Sequence, residues 1–349
     1  MTWWVAEFDA DCVYLDTASL GLPPRRTTEA LRTELDVWRL GQRHAPDYDE
    51  YVGASRNSFA SMVGVDPSCV AIGPQASVYV GLVAASLPAD SVVLAPEGEF
   101  TSVTFPFIAR GLEVREVPLD ALANAIDESV DLVAYSAVQS ADGALADLAA
   151  IEEACTRTGA RQLVDLTQGA GWLPVDAARF DYSVTAAYKW LLSPRGSCFF
   201  TAKAELLDEI VPMAAGWYAG PNPWTSIYGT PLRLAEDARR FDISPAWHSW
   251  VGTAASLEFL AMIGTPARHE HTVGLANAFR TGVGLQTGAA PIVSVETRDG
   301  VEKALADHRI RAASRAGRLR LSFHVNNSAA DVEVAVEALA PFVVVPPGP

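Results

Sequence analysis

Of the 26 basic side chains in the sequence, only Lys189, Lys203 and Lys303 are lysines, so chemistry that needs a primary amine has three candidates. Lys189 stands out because Ala186, Ala187, Tyr188 and Trp190 surround it with apolar and aromatic neighbours. Desolvation lowers the pKa of an ammonium group and leaves a neutral amine that attacks carbonyls, the condition for a Schiff base. The alternative is a lysine that snorkels from a strand end into water. Twenty-four residues upstream, Asp165 stands at the end of an otherwise apolar strand-like run and precedes Thr167, Gln168 and Gly169. A carboxylate there needs a partner, either an arginine or a protonated ring nitrogen of a cofactor, because an isolated buried charge is costly. A third feature is Gly73-Pro74-Gln75-Ala76-Ser77, which joins a strand-like run to a helix-like window. The free N–H groups and positive dipole end of that helix suit a phosphate; Ser77 also reads as a simple helix cap.

Such residues are useful only if a sheet brings its strand ends together. Apolar runs at Val70–Ile72, Val92–Ala95, Leu112–Val117, Leu132–Tyr135, Leu163–Leu166, Tyr182–Thr185 and Ser197–Thr201 have strand length and strand composition. Helix-like stretches at Ser77–Ser86, Thr101–Ala109 and Asp147–Thr158 separate several of them, the last running from a capping Asp to Gly159. This alternation predicts an α/β fold with a mostly parallel central sheet flanked by helices. Polar residues just after its strands are then the site candidates. A long amphipathic segment over Ser244–Ile263 is followed by a different rhythm: Ile292–Thr297, a helix around Gly300–His308, Arg318–Phe323 and a helix from Ser328 to Leu339. The reading is a large domain over 16–262 and a smaller α+β C-terminal domain over 263–349, on which residues 1–15 pack. His269-Glu270-His271 has i, i+2 spacing, which diverges by about 200° on a helix; it reads as a solvated helix start and not as a metal site.

Composition narrows the partners. The 349 residues are 50% apolar and 19% charged, which excludes a disordered or fibrous chain. With 42 acidic residues and a net charge of −16, the protein's field repels nucleic acid and anionic membranes, leaving a small molecule as the expected partner. Cys12, Cys69, Cys155 and Cys198 show neither zinc spacing nor a disulfide pattern. The opening residues lack a basic, then apolar, leader, and the longest apolar stretch is broken by Pro88 and Asp90. A cytoplasmic location with no membrane contact is expected.

At this point a family resemblance emerges. Asp165-Leu166-Thr167-Gln168, followed by Tyr188-Lys189-Trp190-Leu191-Leu192-Ser193-Pro194-Arg195-Gly196, resembles the cofactor-bearing region of class V pyridoxal-phosphate enzymes of fold type I. These include cysteine desulfurases, selenocysteine lyase, kynureninase and small-molecule aminotransferases. Tyr14–Gly21 resembles the segment that approaches the substrate, Glu99-Phe100-Thr101-Ser102 the loop supplying a ring-stacking residue, and Leu319-Arg320-Leu321-Ser322, with Asn326-Asn327, the carboxylate-binding strand. The similarity runs from about residue 14 to the end.

The resemblance implies specific roles. Lys189 would hold pyridoxal 5'-phosphate as an aldimine and later move the α-proton. Asp165 would pair with the pyridinium nitrogen, Gln168 would contact the ring hydroxyl and Phe100 would stack on the ring. Ala76, Ser77 and Tyr188 would bind the phosphate, with Ser244 reaching a neighbouring subunit's phosphate across a homodimer interface. Arg320 would clamp the substrate carboxylate, with Ser19 nearby. Trp247, His248 and Trp250 read as pocket lining or as packing.

The departures shape the expected activity. Persulfide-forming desulfuration needs a thiolate on the loop before the carboxylate-binding strand, and Val295–Arg318 contains no Cys. Val103 and Gln168 do not match the positions expected of a true kynureninase. The reading is an aminotransferase acting on a small α-amino acid, ahead of a C–S or other β-lyase and then a racemase or epimerase. A non-catalytic binding protein on the same scaffold is the reading from another class. A nucleotide-binding Rossmann protein would need GxGxxG, which is not present.

Overall fold

The computed structural model describes residues 2–346. After a short strand β1 (Val13–Tyr14), helices α1 (Arg25–Arg39) and α2 (Asp49–Val63) precede the central sheet. The sheet consists of β2 (Val70–Gly73), β3 (Val92–Pro96), β4 (Glu113–Val117), β5 (Leu132–Ser136), β6 (Arg161–Asp165), β7 (Tyr182–Ala186) and β8 (Cys198–Ala202). Helices α3 (Ala76–Ser86), α4 (Thr101–Arg110) and α5 (Leu148–Thr158) form the crossovers. The strand order is β2-β8-β7-β6-β5-β3-β4, and only β8 runs against the others. The expected parallel sheet is therefore present, and each of the seven apolar runs supplies one of its strands.

The sheet is buried on both faces, which is why its strands read as continuous apolar runs. Val133, Tyr135, Val164 and Phe199 point to one side with Phe59 of α2 and Ile151 of α5. Leu132, Ala134, Leu163 and Phe200 point to the other with Tyr79 of α3 and Phe107 of α4. Phe59 and Phe199 stack at a centroid distance of 4.1 Å; truncating either to Ala removes about 3–5 kcal/mol. The strand ends shift by a residue or two from the expected runs; β6 stops at Asp165, where the Ala170 and Gly169 N–H groups turn back onto the Leu166 carbonyl at 2.7 and 2.8 Å. Asp165 thereby closes the strand, as expected of an acid at its end.

The C-terminal part contains α6 (Trp247–Ile263), α7 (Thr265–Gly282), β9 (Ile292–Val295), α8 (Val301–Asp307), β10 (Ile310–Arg311), β11 (Ala313–Arg315), β12 (Arg318–Ser322) and α9 (Ala329–Leu339). Strands β11, β12 and β9 form an antiparallel sheet, and β1 pairs with β10. Leu15, Phe279, Val293, Leu319, Leu321 and Leu339 share its core. Of the preceding aromatics, Trp3 and Phe8 pack edge-on against Phe259 of α6, and Trp4 against His271 of α7. Residues 1 and 347–349 of the expected domain span lie outside the described residues.

One expectation from the sequence needs correction, and two helices are additional to it. The His269–His271 triplet is not a solvated helix start: both histidines lie inside α7, His269 stacking on Trp172 and His271 hydrogen-bonded to the Asn327 carbonyl at 3.0 Å. Helices α1 and α2 were not anticipated. Only Thr27 and Glu34 of α1 are buried, although Leu31, Leu35 and Trp38 recur at i, i+4, i+7 along it. Thr27 bonds Ser256 of α6 at 2.8 Å. Among the described residues, no helix is long and apolar enough to cross a membrane.

Candidate active site

The carboxyl ends of β2, β6 and β7 open into one cavity, lined by Pro74–Ser77, Phe100, Ser102, Asp165, Thr167, Ala186, Tyr188, Lys189 and Arg195. Strand direction causes this convergence, since adjacent parallel strands deliver their following loops to the same edge. Ala76, Ser77, Phe100, Asp165, Tyr188 and Lys189 all meet there.

Lys189 lies on a tight loop after β7. The Ala187 N–H bonds the Ser197 carbonyl at 3.0 Å, and Ser193 N–H returns to the Ala187 carbonyl at 3.1 Å. Two glycines clamp this loop. A Cβ on Gly21 would sit 2.1 Å from the Lys189 carbonyl oxygen, and one on Gly171 would sit 2.5 Å from that of Trp190. Only a bare backbone permits such approaches. The amine is nearly buried, 5.2 Å from the centre of the Phe100 ring and 5.8 Å from that of Tyr188. Burial pushes its pKa down to about 8 against the pull of Asp165, with Arg320, Arg315 and Arg195 reinforcing the depression. The snorkelling alternative does not describe this side chain.

Asp165 accepts a hydrogen bond from the Thr167 N–H at 2.7 Å. Thr167 Oγ1 in turn accepts from the Ala186 N–H at 2.9 Å, tying the two strand ends together. Burial raises the Asp165 carboxyl, while the Thr167 contacts and the Lys189 amine oppose the rise. Phe100 caps the N-terminus of α4, and its loop is pinned by Glu99. The Glu99 carboxylate accepts from the Phe100 N–H, the Ser136 N–H and hydroxyl, and the Gln139 amide, at 2.6–2.8 Å.

The phosphate-like end combines the N-terminus of α3, Ser77, the Tyr188 phenol and Arg195, whose guanidinium carbon is 5.0 Å from the Tyr188 ring centre. Burial raises the Tyr188 pKa, so the phenol keeps its proton and can donate. Among the described residues, no carboxylate lies within 4.0 Å of Arg195 or of Lys189.

Other expected residues lie elsewhere. Gln168 is committed away from the cavity: its amide donates to the Ala18 carbonyl at 3.0 Å and Ser140 Oγ at 2.9 Å, and its Oε1 accepts from Trp190 at 2.6 Å. With both amide hydrogens used, it ties the amino-terminal segment to the lysine loop. Ser244 is exposed and outside the cavity lining; its neighbour Ile243 N–H docks on the Ile72 carbonyl at 2.9 Å. Trp247 stacks on Tyr48, His248 lies against Trp38 and Trp250 packs edge-on against Phe199, so all three serve packing.

Arg320 is 1% exposed, so it forms no surface ion pair. It donates to Ser19 Oγ at 2.6 Å and to Ser140, and burial pushes its pKa down to about 10. Ser140, Glu99, Thr167 and Arg195 carried no assigned role in the sequence reading. For Arg195 a signal existed: it is the first basic residue after Lys189, on the same loop.

The donor set fits pyridoxal phosphate. An unpaired buried amine suits its aldehyde, an acid lacking a full counter-charge suits a protonated ring nitrogen, an exposed phenyl face suits the ring, and a helix N-terminus with an unpaired arginine suits the phosphate.

Fold and cavity together define a fold type I pyridoxal-phosphate enzyme. The Aminotransferase class-V family model matches residues 108–288, and the chain belongs to that family. It is 28% identical over 315 residues to the uncharacterized aminotransferase YcbU of Bacillus subtilis, covering 82% of each chain. It is 30% identical over 240 residues to isopenicillin N epimerase of Streptomyces clavuligerus, covering 61% of this chain and 59% of that one. The solved structure of the cystine C-S lyase C-DES with cysteine persulfide superposes with a TM-score of 0.84 at 22% identity, covering 95% and 98% of the two chains.

Proposed function

We propose that the chain is an aminotransferase that moves an amino group from a small α-amino acid to a keto acid, with Lys189 as its catalytic residue. The observation that carries this reading is the Lys189 amine, nearly buried without a carboxylate partner, between Phe100 and Asp165 at the sheet's carboxyl edge. Bound pyridoxal phosphate supplies a carbonyl that condenses with amines and a protonated pyridine ring that draws electrons from the substrate's Cα. Asp165 provides the counter-charge that keeps the ring nitrogen protonated. Phe100 covers the ring face, and Ala76, Ser77, Tyr188 and Arg195 hold the phosphate through backbone, hydroxyl and guanidinium groups. Arg320 orients the substrate carboxylate in a charge-assisted pair. Lys189 Nζ, neutral above a pH of about 8, takes the proton from Cα.

None of the four cysteines supports a thiol-dependent reaction. Burial raises Cys155 and Cys198, and Cys12 and Cys69 are likewise held up by desolvation, so no thiolate is prepared. Ser244, exposed and outside its own cavity, is assigned to a neighbouring subunit's phosphate in a homodimer. Incubation of the purified holoenzyme with single amino acids and no keto acid tests the assignment. Conversion of the cofactor to its amine form supports transfer. Release of pyruvate or sulfide makes the protein a β-lyase, and loss of optical activity without product makes it an epimerase.

A further inference from the structure

Two guanidinium groups converge on one hydroxyl beside the lysine. Ser19 Oγ accepts from Arg320 Nη2 at 2.6 Å and from Arg315 Nη2 at 3.0 Å. Strand register explains the meeting. Ala313 of β11 stands opposite Arg320 of β12, and Arg315 lies two residues from Ala313, on the same face. The hairpin turns tightly through Ala316 and Gly317, both with positive φ, which fixes Arg315 at its rim. Opposite Arg320, the Ala313 side chain is only a methyl group.

Two guanidinium groups here face a single carboxylate. The nearest acid, Asp16, is 3.9 Å from Arg320. Among the described residues, no carboxylate lies within 4.0 Å of Arg315, whereas Arg318, the next arginine along the chain, lies 4.0 Å from Glu296. Arg320 Nε and Asp16 Oδ1 are buried without hydrogen-bond partners. Arg315 is exposed, with Nη1 on the Ser314 carbonyl at 2.7 Å, and retains free donors towards solvent. Both guanidiniums act on Lys189, so both belong to the surroundings of the reacting amine. One carboxylate neutralises one guanidinium; a neutral serine hydroxyl is a weak substitute for a second.

We propose that Ser19, Arg315 and Arg320 form a double acid site, in which Arg320 takes the α-carboxylate and Arg315 a second carboxylate on the substrate's side chain. The amino donor is then a dicarboxylic amino acid. This rests on Arg320 binding the α-carboxylate, and the test separates the two claims. Calorimetric titration of the cofactor-loaded protein uses glutarate and butyrate, which is glutarate with one carboxylate replaced by hydrogen; neither carries an amine, so no turnover intervenes. Glutarate is expected to bind at least about tenfold more tightly, the value of one further charge-assisted contact. Arg315→Gln should abolish that preference with little change for butyrate, and Arg320→Gln should weaken both. Equal affinities in the native protein, or an equal loss of both ligands in Arg315→Gln, would overturn the double site. Unchanged binding of both in Arg320→Gln would instead remove the carboxylate reading beneath it.

Discussion

The two edges of the central sheet carry similar residues in opposite electrostatic conditions. At the amino edge, Lys203 pairs with Asp181 at 2.9 Å and Arg161 with Glu209 at 2.5 Å, while the Asp131 carboxylate accepts the Val92 N–H at 2.7 Å. At the carboxyl edge, Lys189 and Arg195 have no carboxylate within 4.0 Å among the described residues, and Asp165 is buried with a raised pKa. The amino-edge cavity is the roomier, about 360 Å³ against about 100 Å³. Volume therefore does not mark the site. Unbalanced charge does, because a folded chain ordinarily pairs the charges it buries, and a group left unpaired is held ready for a ligand.

Substitutions at the two edges should separate accordingly. Asp165→Asn removes the charge expected to balance the ring nitrogen, and turnover should fall by the equivalent of about 3–5 kcal/mol, measured as kcat with the cofactor saturating. A loss below threefold would mean that Asp165 has no electrostatic role. Arg195→Gln should weaken pyridoxal phosphate about tenfold in a spectrophotometric titration, as expected for one charge-assisted hydrogen bond, while leaving the fold intact. At the opposite edge, Lys203→Met removes an amine that is already paired and partly solvated. Its stability in urea should change by no more than about 1 kcal/mol, and cofactor uptake should stay the same. If Lys203→Met impaired uptake as much as Arg195→Gln, the contrast between the edges would be lost.

Burial also makes stability depend on pH. Lys189 is held at about 8 in the folded protein against an ordinary 10.5, so the unfolded chain binds more protons between those values. The cofactor-free protein therefore gains stability as the pH rises through that window, measured by urea unfolding at several pH values.

Much of this architecture is legible from the sequence because the central sheet is buried on both faces. Each strand then appears as an apolar run, and the residues just after β2, β6 and β7 become candidates from topology alone. What stays hidden depends on side-chain partners. Gln168 follows Asp165 where a ring contact is expected, but the Trp190 indole and the Ala18 carbonyl, 22 and 150 residues away, claim its amide. Arg315 is one arginine among several on a polar hairpin, and only strand register brings it to Ser19.

The central claim, that the single unpaired lysine anchors the cofactor, is tested most directly by borohydride trapping. Purified protein is incubated with pyridoxal phosphate from about pH 6 to about pH 10, reduced, digested and mapped by mass. Label on Lys189 alone, with initial incorporation rising through a pH of about 8 as the amine loses its proton, is the expected result. Label on Lys203 or Lys303 at comparable yield, or incorporation at Lys189 that ignores pH, would contradict it.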